Sequence, residues 1–169
     1  MKWKVNEQKD LGELGNKVRS TYADCWGCHN DCYDLDFHFD ILIDASTFTA
    51  PSGPNAQHLG HHVDNLELVI DNPGFEAWWG DFTYQYRFHT TQDIVNVLVV
   101  CPMGNQRSVS CAEILRYLLK VSGKLVDKEL RHISHDKWGE HGKKCMSCQY
   151  PYNQPRFKEV LQKALQKVC

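Results

Sequence analysis

The stretch from Val95 to Lys120 constrains the fold most, because its hydrophobic period changes once and abruptly. Val95 to Val100 is a short, β-branched apolar run with the length of a buried strand. Cys101 to Arg107 is a turn that contains Pro102 and Gly104. From Ser108 onward Val109, Ala112, Ile114, Leu115, Leu118 and Leu119 recur at three- and four-residue spacing, which predicts a helix. A strand, a tight loop and a helix in that order predict a single α/β domain with a mostly parallel sheet.

Such a loop has a chemical consequence. Its backbone N–H groups and the orphan N–H groups of the first helical turn can converge on one point, where the helix dipole adds roughly +0.5 of a charge. Anions bind at such places, phosphate above all. Arg107 offers a planar, two-pronged donor, Ser108 a cap or a hydroxyl donor, and Gly104 close backbone approach. The expected ligand-binding set is Cys101, Pro102, Met103, Gly104, Asn105, Gln106, Arg107 and Ser108. The plainer alternative is a βα connection with a surface Arg and a buried Cys.

Cys, five residues, Arg, Ser is also the pattern of Cys-dependent phosphatases, in which a thiolate attacks phosphorus. On that alternative Cys101 is the nucleophile and Arg107 the phosphate clamp. Such an enzyme also needs a general acid. Asp127 and Asp136 follow the loop, but neither sits in a recognisable acid-loop setting.

Two families share these residues. Val-Leu-Val-Val-Cys followed by Gly-Asn, Arg-Ser and Ala-Glu resembles low-molecular-weight tyrosine phosphatase, a family whose loop opens the chain. Cys-x-x-Gly-x-x-Arg-Ser-Val-x-x-Ala-Glu resembles the loop of the C-terminal domain of the RNase adapter protein RapZ. That second likeness runs roughly from Asp36 to His135. It takes in the strand Phe39 to Phe48 with Asp44, then Gly123, then Arg131-His132. It implies an α/β domain whose loop holds a phosphorylated amino sugar and whose surface contacts small RNA. Cys101, Gly104, Arg107, Ser108 and His132 match. Gln106, Pro102, Met103 and Ser46 depart from the family's His, Thr, Gly and Arg.

Cys25-Trp-Gly-Cys28 and Cys145-Met-Ser-Cys148 are two Cys-x-x-Cys knuckles on either side of the α/β body. Two knuckles facing one another predict a structural Zn2+ site of four thiolates, Cys25, Cys28, Cys145 and Cys148. It would join the N- and C-terminal extensions. His29, Cys32 and His141 are spare ligands. A redox pair, structural disulfides or unrelated cysteines are the other accounts.

Asp44, at the end of an alternating strand, could point into the loop's crevice or make an Asx turn or helix cap. His58, His61 and His62 are close enough to suggest metal, yet solvent exposure is the commoner state and the one expected. Leu66 to Thr91 is rich in aromatics expected to fill a core. His132 falls where the next strand would end and is a phosphate or general-acid candidate. Arg156 to Val168 is an amphipathic helix. Met1 to Asp24 is polar and expected to be a short helix or a loose lead-in.

A net charge of -2 with nine His uncounted argues against a strongly basic nucleic-acid protein. No run approaches the roughly 20 apolar residues of a membrane helix, and the charged N-terminus is not a secretory signal, so a cytoplasmic protein is expected. The expected division is 1–33 with the first knuckle, 34–138 as the α/β domain, and 139–169 with the second knuckle and the last helix. The expected function is phosphate recognition, with a phosphorylated small molecule or RNA as partner, no membrane, and self-association left open.

Overall fold

The structure, a computed structural model, describes residues 2–7, 39–92, 94–126, 130–132 and 138–169. Five strands among them form one sheet: β1 Lys2–Glu7, β2 Ile41–Asp44, β3 Ile94–Val100, β4 Leu125–Val126 and β5 Arg131–His132. Their order is β2-β3-β1-β4, with β5 also paired to β1, and every ladder is parallel. The mixed helix-and-strand fold with a short parallel sheet is the one the strand–loop–helix pattern predicts.

The first residues depart from expectation. Lys2–Glu7 is no lead-in. It is an inner strand, pairing Lys2 with Ile94 on one side and with Leu125 on the other. Its Lys-Trp-Lys-Val-Asn alternation has period two, too short to stand out beside the polar residues that follow. The helical spacing of Leu11, Leu14 and Val18 lies outside the described residues.

The helices are α1 Val63–Ile70, α2 Phe75–Tyr86, α3 Arg107–Val121, α4 Glu140–Lys144, α5 Met146–Gln149 and α6 Phe157–Val168. Pro73-Gly74 separates α1 from α2. Gly123, at φ +76, ends α3 in a Schellman turn, with Lys124 N–H donating to Leu119 O and Gly123 N–H to Lys120 O.

The core lies where these helices meet the sheet. Ile41, Ile43, Val95, Val97 and Val99 supply the strand side. Leu66 and Ile70 of α1, Phe75, Trp78 and Phe82 of α2, Ile114, Leu115 and Leu118 of α3, and Phe157, Val160, Leu161 and Ala164 of α6 supply the helices. Each of these side chains larger than alanine contributes about 1.5–3 kcal/mol by leaving water. Phe75, Trp78 and Phe82 thus fill a core, as expected, with Trp79 and Tyr86 partly buried against it, whereas Tyr84 and Phe88 are exposed. Lys163 and Arg156 also pair with Asp71 and Glu67 across the α1–α6 seam. Exposed pairs of this kind contribute little, so the apolar stripe holds α6 in place.

Candidate functional site: a thiol-centred loop beside a histidine–cysteine cluster

β3 delivers Cys101 to the carboxyl edge of the sheet, where the side chain is 1% exposed. The chain then turns back over the sulfur. Gly104 adopts φ +62, a left-handed conformation that costs glycine nothing, and its N–H donates to Cys101 Sγ (3.3 Å). The Cys101 thiol in turn donates to Ser108 Oγ (3.1 Å). Ser108 therefore serves the sulfur and is not the helix cap. The cap position of α3 is Gln106, and no side chain bonds the first-turn amides from there.

Arg107 opens α3. Its Nη1 donates to Ser46 O (2.9 Å) and Phe48 O (3.1 Å), which stitches the loop to the segment leaving β2. These are its hydrogen bonds among the described residues, and they leave Nε and Nη2 uncommitted. Asp44 makes the Asx turn, accepting from Ser46 N–H at 2.7 Å. Ser46 Oγ and Asn105 Oδ1 are buried with no hydrogen-bond partner among the described residues. Such orphans cost about 1–3 kcal/mol each when nothing satisfies them.

The second Cys-x-x-Cys knuckle lies nearby. Cys145 ends α4 in extended backbone and Cys148 sits in the one-turn α5, so both sulfurs face one point. The third group at that point is His58. Its Nδ1 is 3.4 Å from Cys145 Sγ and 3.6 Å from Cys148 Sγ. The three ligand atoms lie within 4.8 Å of one another and could hold a metal ion.

This corrects the expectation that His58, His61 and His62 are solvent-exposed. None of the three is exposed. They do not share a helical face either. His58 follows the 3₁₀ turn Gly53–Gln57, and His62 is the N-cap of α1, accepting from Asp64 N–H. Cys145 and Cys148 stand together as expected. Cys25 and Cys28, with His29 and Cys32, lie outside the described residues.

The electrostatics suit a cation. Burial pushes the Cys148 thiol up to about 12; the Leu59 N–H opposes this, and Cys145 adds to it. A dication reverses that preference, because only a thiolate ligates. Burial first, then His62 and His141, hold His58 below the usual imidazole range, keeping the neutral ring that ligates. His62 stacks on His58 at 3.9 Å, and His141 meets it edge-on at 4.8 Å.

Backbone and amide contacts join loop and cluster. Gln106 Nε2 donates to Ala56 O (2.7 Å) and His58 O (3.1 Å). Gly60 N–H donates to Asn105 O (3.0 Å), and Ser110 Oγ to Gly60 O (2.9 Å). Gly60 is essential to this seam, since a Cβ there would fall 2.1 Å from Gln106 O and 2.5 Å from Ser110 N. A small apolar cluster of Leu59, Val109, Trp138 and Cys148 seals it.

Of the expected loop set, Cys101, Gly104 and Ser108 are interlinked, while Arg107 bonds the chain leaving β2. Pro102 and Asn105 are half-buried and Met103 is exposed, while Gln106 turns toward the histidine segment. His132 stands apart from these contacts, beside His61 (4.6 Å) and Trp138 (4.8 Å) at the end of β5. The residue that sequence reasoning missed is His58. Its only signal was its place in the run of three histidines, with no second ligand at a fixed spacing.

Among the described residues no helix is long and apolar enough to cross a membrane. No protein-family model and no curated protein matches the chain.

Proposed function

We propose that this chain is a phosphate-recognising binding module, built on the loop Cys101–Ser108 and braced by a structural zinc ion. One observation carries the phosphate reading. A left-handed Gly104 turns its N–H inward onto the Cys101 sulfur, directly before a 15-residue helix whose first turn no side chain caps. Amides turned inward at an uncapped helix start make an anion cup. Arg107 keeps its Nε and Nη2 donors uncommitted among the described residues, and the orphaned Ser46 hydroxyl, which can donate, lies on the segment that its Nη1 holds. The likeness to the RapZ C-terminal loop agrees with this reading, and a phosphorylated small molecule is the partner it favours.

Zinc fits the cluster by its edges. With bonds of about 2.3 Å to sulfur and 2.0 Å to nitrogen, a tetrahedron has S···N edges of about 3.5 Å. The 3.4 and 3.6 Å separations around His58 match. The fourth ligand would come from Cys25, Cys28, His29, Cys32 or His141.

The hydrogen-bonded setting of Cys101 also favours a second reading, a Cys-dependent phosphatase. Calorimetric titration with inorganic phosphate, paired with a p-nitrophenyl phosphate assay, separates the two. A binding module takes up phosphate without turnover, and Arg107→Ala weakens uptake about tenfold, the scale of one lost charge-assisted contact. Turnover that Cys101→Ser abolishes would establish the phosphatase. Absence of phosphate binding at millimolar concentration would overturn both.

A further inference from the structure

A cavity of about 500 Å³ opens where α3, α6 and the 3₁₀ turn Pro151–Asn153 meet. That volume lies in the range of small-molecule sites. None of its lining residues belongs to the Cys101 loop or to the His58 cluster. One face of α3 contributes Tyr117 and Lys120, the first turns of α6 contribute Phe157, Lys158 and Leu161, and the turn contributes Tyr152.

The apolar part of this cavity is pre-formed. Phe157 and Leu161 are 3% and 5% exposed and belong to the main core, so they make a rigid floor. Tyr117, half-buried, packs against the same core. Tyr152 is 59% exposed, yet its ring is fixed at both ends. It stands edge-on to Phe157 at 5.2 Å, and its hydroxyl accepts from Arg116 Nη1 at 2.7 Å. A ring already held in place costs little further ordering when a ligand arrives. Three aromatic rings and a leucine about one cavity suit a flat apolar ring.

The charged part is one-sided. Glu113 is the carboxylate in the lining, and Arg116 lies 3.6 Å from it, so that charge is answered within the site. Lys120, in the last turn of α3, and Lys158, in the first turn of α6, add two exposed ammonium groups from different helices. Neither makes a hydrogen bond or an ion pair among the described residues. A solvated lysine is ordinary on a helix face. Two of them lining the same aromatic cavity favour an anion there and disfavour a cation.

We infer that this cavity binds a small aromatic carboxylate, its ring among Tyr117, Tyr152, Phe157 and Leu161 and its carboxylate at Lys120 and Lys158. The site is separate from the Cys101 loop and does not depend on that loop binding phosphate.

The test is calorimetric titration of the full chain with 2-naphthoate and with 2-naphthalenemethanol, which keeps the ring and lacks the charge. Naphthoate should bind about tenfold tighter, the scale of two exposed charge contacts. Lys120→Ala and Lys158→Ala, both on the surface, should each weaken naphthoate about threefold and leave the alcohol unchanged. Tyr152→Ala should weaken both ligands about fivefold. Equal affinity for acid and alcohol overturns the assignment, as does naphthoate binding that neither lysine variant alters. Failure of naphthoate to bind at millimolar concentration also overturns it, whatever phosphate does at the loop.

Discussion

The Cys101 loop and the His58–Cys145–Cys148 cluster are neighbours built on opposite plans. The loop is one continuous octet suspended between β3 and α3: Gly104 holds the sulfur, the sulfur holds Ser108, and Arg107 ties the octet to the chain leaving β2. The cluster gathers three side chains from segments about ninety residues apart, with only one-turn helices behind them. Its Cys148 thiol is buried in a setting that opposes ionisation. On the proposed reading the loop persists on its own packing, whereas the cluster would be closed by an ion. A site formed within one strand–loop–helix unit inherits its geometry from secondary structure. A site formed across the chain needs a further bond to close it.

That contrast is broken most severely at the cluster. Cys148→Ser should reduce bound zinc from one ion per chain to a small residue by elemental analysis. It should also remove several kcal/mol of stability, the linkage share of an ion bound only by the folded state. A chelator should do the same to the unsubstituted chain, and more readily at lower pH, because protons compete for the thiols. A Cys148→Ser protein that melts where the parent does would deny the cluster its structural role.

Gly60→Ala sharpens the comparison by striking the seam. The new Cβ would meet backbone atoms of Gln106 and Ser110, which cannot swing aside as a side-chain tip can. A loss of about 3 kcal/mol is expected in chemical denaturation. Both regions should weaken together, in zinc content and in phosphate affinity. Loss at one alone would show that the seam does not couple them.

The same contrast explains what the sequence discloses. Val95–Val100, the turn and the helix from Ser108 are contiguous, so periodicity and turn chemistry alone place Cys101, Gly104 and Arg107 together. The second knuckle is local as well, and Cys145 and Cys148 converge as their spacing implies. His58 is different. Nothing nearby in sequence marks it as the knuckles' partner, because a fold-wide approach of Leu59 to Val109 and Gly142 brings it there. β1 escaped notice for a related reason: six residues of weak alternation become an inner strand only when β3, β4 and β5 are present to pair with them. The partner of an ion or a strand lies elsewhere in the chain, and local patterns carry no record of it.

The central claim is that the loop's amides grip an oxyanion. Amide chemical shifts of isotopically labelled protein, followed during a phosphate titration, test it most directly. The account predicts saturable shifts for Gly104, Asn105 and the first-turn amides of α3, with one common dissociation constant that Arg107→Ala raises about tenfold. Those amides remaining still while phosphate binds elsewhere, or does not bind at all, would contradict it.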